Sequence, residues 1–401
     1  MGRFALGAAR TLRTGAGVSA ACCDDGSVND PYLVGSVDEL PESPEPPPVI
    51  TPRALTLGIS MVATTLLIAA AMVIPVPYAV STPGPTLDTL GDLEGHPLIT
   101  VEGARTYPSE GELRLTTVAV AGGQRVPVSL LTMVRGWLDG ARAVRPVEEV
   151  VPPDRTREEI DEANQAAMIS SQEHATVAAL EELGYAVPTT MTIGETLEGT
   201  GADGMVLPGD VITHLDGQAL VSFADLSGAM DQLSPGDVAR LTVLRDDAPV
   251  DVDVTTVDGG DGRALLGVLV DPTFDLPVQV DIEIDNIGGP SAGLMFALGI
   301  VQVLTEVDET GGALIAGSGT IDLTGEVGPI GGIAQKMVGA RRDGVEWFLT
   351  PEANCPEVTR VPAGLNVVAV STLAEARAAV EAIGSGDGQD LRTCAPVRAT
   401  G

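Results

Sequence analysis

Gly325-Glu326-Val327-Gly328-Pro329-Ile330-Gly331-Gly332-Ile333-Ala334-Gln335-Lys336 ends on the only lysine of this 401-residue chain. Every other basic residue is an arginine. A guanidinium stays protonated in proteins, whereas a buried amine can lose its proton and act as a base. The glycines turn the chain into a helix that carries Lys336 near its start and stops near Gly344. Upstream, Asp281-Ile282-Glu283-Ile284 alternates like a strand, and Gly288-Gly289-Pro290 turns the chain. Ser291 then opens an apolar helix that runs to about Leu304. A serine there lies beside unpaired helix N–H groups and the positive end of the helix dipole. Such donors can stabilise an oxyanion. A plain N-cap would use the same residue type. Between the two lies a glycine-rich turn, Ala316-Gly317-Ser318-Gly319-Thr320-Ile321. A nucleophilic serine served by a lysine base is a known variant of triad logic.

A second module precedes this region. Val206-Leu207-Pro208-Gly209-Asp210-Val211-Ile212-Thr213-His214-Leu215-Asp216-Gly217 spells turn, short strand, turn. A helix over Phe223–Gln232, a Ser234-Pro235-Gly236-Asp237 turn and a Leu241–Arg245 strand follow. The order resembles a PDZ domain over some 70 residues. In that family a peptide C-terminus adds as a strand, its carboxylate held by backbone N–H groups. The resemblance places that loop near Gly184-Tyr185-Ala186-Val187. A fold of this type can also serve as a mere spacer.

The C-terminal third resembles the proteolytic domain of the Lon family of serine–lysine peptidases. The resemblance rests on Gly289-Pro290-Ser291-Ala292-Gly293, on the Ala316–Gly319 turn and on the Gly325–Lys336 stretch, in the family's order. It implies Ser291 as nucleophile and Lys336 as general base. Ser318 falls where the family has a hydroxyl that holds the lysine amine. Gly289, Pro290 and Ala292 form the turn and oxyanion surroundings. One position departs: many members have an aspartate three residues before the serine, where this chain has Gly288. Met168-Ile169-Ser170-Ser171-Gln172 is similar to an early helix of the same domain, which implies a PDZ-like module inserted in it. That helix starts at the capping-box pattern Thr156-Arg157-Glu158-Glu159 and ends at Gly184. From the apolar segment onward the chain looks like the bacterial membrane-anchored, PDZ-containing Lon-like proteases.

Bulk properties agree. The net charge is −34. No basic patch is available for phosphates, which argues against nucleic acid and against anionic headgroups as electrostatic partners. Ala54–Ile74 carries no charge and meets the roughly 20 residues a spanning helix needs. It is too long for a signal-peptide core, and about fifty residues precede it. Arg53 abuts its start, whereas the first basic residue after it is Arg105. The positive-inside rule then puts the N-terminus in the cytoplasm and the rest outside a bacterial cell. Cys22 and Cys23 are adjacent, a poor disulfide geometry. Cys355 and Cys394 fall on the outer side, where a disulfide persists. Only His96, His174 and His214 exist, none placed for a trypsin-like triad. H-E-x-x-H and the P-loop pattern are both absent, so no zinc and no ATP are expected, and no cofactor.

The expected fold class is α+β, divided as follows: a disordered cytoplasmic tail (1–53), a transmembrane helix (54–74), a linker (75–104), an N-terminal part of the extracytoplasmic protease region (105–184), a PDZ-like domain (185–258), a Lon-type proteolytic domain (262–385) and a C-terminal tail (386–401). The expected function is a membrane-anchored, ATP-independent serine endopeptidase acting on proteins or peptides. A homo-oligomer is implied by the resemblance, and nothing in the residues dictates a hexamer. The rival class is a catalytically silent envelope scaffold that binds C-termini; the Ser–Lys pair argues against it.

Overall fold

The computed structural model describes residues 51–122, 127–150, 155–260, 262–284 and 287–394. The tail through residue 50, with Cys22 and Cys23, and the last seven residues of the chain lie outside the described residues. Helix α1 (Pro52–Val73) is the one described helix long and apolar enough, by length and composition, to cross a membrane. Its leucines and methionine face outward, with Leu57 70% and Met61 74% exposed.

The expected linker at 75–104 is instead part of the folded body. Strand β1 (Tyr78–Asp88) lies inside a sheet, and Ala79, Val80, Leu98 and Ile99 are buried. Pro83 and Pro85 lie within β1 itself. They flank a register shift between Pro83 and Thr86, the kind of irregularity where a strand tolerates proline. Along the chain follow β2 (Glu112–Ala121), α2 (Leu130–Leu138), β3 (Ala143–Pro146) and α3 (Arg157–Glu182). The capping box forms: the Glu159 N–H donates to Thr156 Oγ1 at 3.2 Å, and the Thr156 N–H donates to the Glu159 carboxylate at 2.7 Å.

The module then occupies β4 (Thr189–Thr196), β5 (Val211–Leu215), α4 (Phe223–Met230), β6 (Val238–Arg245), β7 (Ala248–Thr255) and β8 (Val268–Phe274). Its sheet runs β7-β6-β5-β4-β8 over its own core of Met191, Ile193, Ile212, Leu215, Leu241 and Val243. The expected boundary at 258 is therefore too early, because β8 pairs along β4 from Val268↔Thr196 to Phe274↔Thr189. Nothing local in Val268–Phe274 announces that partner, which lies some 75 residues back in the chain.

The remaining elements are α5 (Gly293–Leu304), β9 (Leu314–Gly317), α6 (Ile333–Arg342), β10 (Trp347–Pro351), β11 (Asn366–Val370) and α7 (Leu373–Ser385). They complete the main sheet, ordered β11-β10-β9-β2-β1-β3. Its first four strands are parallel, and β1 runs antiparallel to both of its neighbours, β2 and β3. Alternation along the strands builds two cores. Ile315, Leu349, Val368 and Val370 pack with α3, α5 and α7. Ala316, Phe348, Val367 and Ala369 pack with Ile333, Met337 and Ala340 of α6. Because α3 and α5 share one core, the chain leaves that core for the module and returns to it through Gln279–Ile282, which pairs with Ile99–Glu102. The expected tail at 386–401 is tied down at its start: Cys394 is bonded to Cys355, with Cα atoms 5.1 Å apart.

Candidate active site

Ser291 and Lys336 come from opposite faces of the main sheet and meet at the carboxyl end of β9. Ser291 lies in a tight turn of helix, Pro290–Ala292, that leads into α5. Lys336 is the fourth residue of α6 on the other face. Ser318 directly follows the last residue of β9 and stands between them. Ligand sites at the carboxyl ends of parallel strands are a general property of such sheets, because the helices depart there.

The geometry is tight. Lys336 Nζ lies 2.7 Å from Ser291 Oγ and 2.7 Å from Ser318 Oγ. The Ser318 hydroxyl donates to the Ser291 carbonyl at 2.8 Å, and the Gly319 N–H donates to the same carbonyl at 3.0 Å. With its proton engaged there, Ser318 Oγ presents a lone pair to the lysine N–H. The amine donates to Ser291 Oγ, and once neutral it can instead turn its lone pair to the Ser291 hydroxyl. Lys336 is 3% exposed and Ser318 fully buried. Burial alone pushes the lysine down to about 8, because a charged ammonium is poorly solvated there.

Local backbone requirements explain the glycines that matter. Gly289 sits at φ 95°, a conformation that favours glycine, and its N–H donates to the Asn164 carbonyl at 2.9 Å. Pro290 has no N–H at all. Neither residue therefore has a donor to offer an oxyanion; both shape the turn, and Ala292, the third residue expected there, is buried at its end. The Ser291 N–H has no backbone acceptor among the described residues and is left for the role, whereas at the start of α5 the Gly293 N–H donates to the Pro290 carbonyl and the Leu294 N–H to the Gly319 carbonyl. Gly288, where an aspartate was expected from the family pattern, is covered by α3: a Cβ there would come within 2.9 Å of Asn164 Cβ.

Two supporting residues escaped the sequence reading. Ser171 of α3 donates to the Pro290 carbonyl at 3.0 Å and so holds the turn that carries Ser291. Asn354, fully buried, accepts from the Ile330 N–H and donates to the Ile330 carbonyl, both at 2.9 Å. That pair of bonds fixes the loop just before α6, and Asn354 is next to the disulfide-bonded Cys355. In sequence Ser171 is one more small residue of the Met168–Gln172 stretch. Asn354 had no signal in its own neighbourhood. A cleft of about 390 Å³ opens over the pair, lined by Thr116–Ala119 of β2, Met168 of α3, Gly288, Gly289 and Gly331.

In the stretch Gly184–Val187, expected to hold a peptide carboxylate, two of the N–H donors are already engaged. The Gly184 N–H donates to the Glu181 carbonyl and the Tyr185 N–H to the Leu180 carbonyl, the paired bonds that end α3. Val187 is buried. The module's groove lies elsewhere. A cavity of about 690 Å³ runs between α4 and the free edge of β8, lined by Phe223, Ser227, Met230, Val268 and Val270. His174 and Leu323, from outside the module, close one side.

Comparison with known proteins agrees with these two parts. Residues 284–380 match the Lon protease (S16) C-terminal proteolytic domain, and residues 198–256 match a PDZ domain. Lon protease 2 of Thermus thermophilus is 43% identical over 74 residues, 18% of this chain and 9% of that protein. Lon protease of Rhizobium meliloti is 36% identical over 105 residues, 25% of this chain and 13% of its own length. The PDZ domain of an SdrC-like protein from Listeria innocua is 20% identical, with a TM-score of 0.19, over 20% of this chain and 92% of that domain. The chain thus spans about a tenth of the length of the Lon proteases it matches. Residues 284–380 are thus similar to Lon-type proteolytic domains, and residues 198–256 to PDZ domains.

Proposed function

We propose that the protein is a membrane-anchored serine endopeptidase that works without ATP, with Ser291 as nucleophile and Lys336 as general base. The observation that carries the reading is a single buried amine within 2.7 Å of the serine hydroxyl, with burial pushing it to about 8. A neutral amine takes the Ser291 proton as Oγ attacks the scissile carbonyl, and gives that proton to the leaving amine. The resulting acyl-enzyme is cleared by water, with the lysine again as base. The Ser291 N–H and the start of α5 favour the oxyanion.

The substrate is an extended segment. Beyond Leu115, β2 no longer pairs with β9, so Thr116–Ala119 offer a strand edge along the cleft wall. A peptide laid against it passes Ser291 in extended form. With no unfolding motor in these 401 residues, loosely folded proteins and terminal segments are the substrates. The groove between α4 and β8 receives their C-termini. The loop Arg263–Gly267 at its mouth holds the carboxylate, and the free edge of β8 takes the new strand. Pro272 limits that ladder, because it has no N–H to give. Helix α1 spans the membrane, and Arg53 at its start keeps the N-terminus in the cytoplasm. The catalytic part then faces out of the cell.

A fluorophosphonate probe on the detergent-solubilised full chain tests the chemistry. Labelling at Ser291, lost in Lys336→Arg, is the expected result. A folded protein that takes no label at any pH between 7 and 10 would reduce the chain to a binding scaffold.

A further inference from the structure

Helix α2 turns an apolar face to solvent. Ser129 caps it, accepting from the Thr132 N–H at 3.3 Å. Met133 and Gly136 face inward; a Cβ on Gly136 would meet Val144 Cγ2 at 2.6 Å, so the helix lies hard against β3. On the other side Leu130 (40%), Val134 (37%), Trp137 (60%) and Leu138 (84%) are exposed. Their spacing puts them on one helical stripe. The chain has two tryptophans. Trp347 packs against the main core, whereas Trp137 stands at the surface, edge-on to Tyr78 with ring centroids 6.2 Å apart.

The position of this stripe decides what covers it. Pro75 and Val76, directly after α1, pair antiparallel with Ser129 and Val128. Ile74, just past the end of α1, and Leu130, the first residue of α2, each adjoin the Pro75–Ser129 pair. The apolar stripe of α2 therefore begins where the apolar run of α1 ends. Ile74 is itself 56% exposed, which makes the apolar surface continuous from one to the other. Arg135 of α2 and Arg145 of β3 are exposed nearby. An apolar helix face, a surface tryptophan next to a tyrosine, and arginines beside them are what the boundary between acyl chains and headgroups accommodates.

We propose that α2 lies in the membrane–water interface, with Leu130, Val134, Trp137 and Leu138 among the lipids and Arg135 at the headgroup phosphates. The folded body is then held to the bilayer surface by a second contact besides the span. This inference rests on the reading of α1 as a span. Tryptophan quenching in the full chain, reconstituted in phosphatidylcholine–phosphatidylglycerol nanodiscs, tests it. Trp347→Phe leaves Trp137 as the only emitter; if that variant does not fold, the difference between the native chain and Trp137→Phe gives the same signal. Lipids brominated near the top of the acyl chain should quench Trp137 at least two-fold, and iodide quenching should drop at least two-fold relative to free tryptophanamide. Leu138→Glu should reverse both. Full iodide access without bromine quenching, in a chain that resists carbonate extraction, overturns the inference and leaves the span standing. Release by carbonate overturns both. Shielding that grows with the number of chains per disc, without bromine quenching, assigns the stripe to a second copy and also overturns it.

Discussion

The catalytic corner and the module's groove differ in how much of each a single stretch of residues can encode. The corner is made of three side chains that are locally marked in the sequence: the one lysine, and two serines in glycine-rich turns. Each of those residues falls in the structure where its motif implied, within 2.7 Å of its partner. The groove is made of edges and gaps. Its wall is a strand, β8, that joins the module's sheet after a loop of more than ten residues, and no residue in it is chemically distinctive. Motifs point to the corner residue by residue, whereas for the groove they point to Gly184–Val187, away from the cavity between α4 and β8. Chemistry that depends on a functional group leaves a local mark; binding that depends on an unpaired backbone edge leaves none until strand order is known.

The largest test of that contrast is at the corner. Lys336→Arg keeps the charge and removes the base, so peptidase activity should fall at least about 100-fold, as in Ser291→Ala, with the fold intact by circular dichroism. A folded Lys336→Arg protein above a tenth of native activity would break the Ser–Lys assignment. Native activity should also climb with pH through about 8 and level off above it, as the neutral amine becomes the majority form.

The same lysine should cost stability. Its folded value of about 8 lies below its ordinary 10.5, so the charged form destabilises the fold. By linkage the penalty is fully present below about pH 8 and fades as pH rises towards 10.5. Lys336→Met should therefore be inactive yet more stable at pH 7, by up to about 3 kcal/mol. The gain should vanish near pH 10.5 in urea titrations. A less stable Lys336→Met at pH 7 would mean that the ammonium is well solvated.

At the groove, Met230→Glu puts a charge on the wall of α4. It should weaken binding of a C-terminal peptide about ten-fold by fluorescence anisotropy, while hydrolysis of a short fluorogenic peptide is unchanged. Tyr185→Ala should alter neither. The reverse pattern would restore the loop after α3 as the binding site.

The smallest expected effect joins the two regions' supports. Ser171→Ala removes one hydrogen bond to the turn of the nucleophile, about 1 kcal/mol or some five-fold in kcat. KM should hardly move, because Ser171 holds the turn and does not line the cleft. A KM effect without a kcat effect would reassign Ser171 to substrate binding.

Several parts of the molecule were legible before any fold was known. The apolar run before Pro75 announced a helix by length and composition. Thr156 and Glu159 announced the start of α3 through a local exchange of hydrogen bonds. Lys336, Ser291 and Ser318 announced a reaction, and Cys355 and Cys394 a cross-link. All of these depend on neighbours in sequence or on side-chain chemistry that is rare here. What tertiary structure alone decided depends on distant partners. Residues 75–104 look like a proline-rich linker until β2 pairs with β1. Gly288 looks like a missing aspartate until α3 is seen lying on it. Ser171 and Asn354 acquire roles only when Pro290 and Ile330 arrive beside them. The edge of β8 and the exposed stripe of α2 exist as surfaces only once the sheets have closed, because a strand's free side and a helix's bare face are defined by what does not pack there.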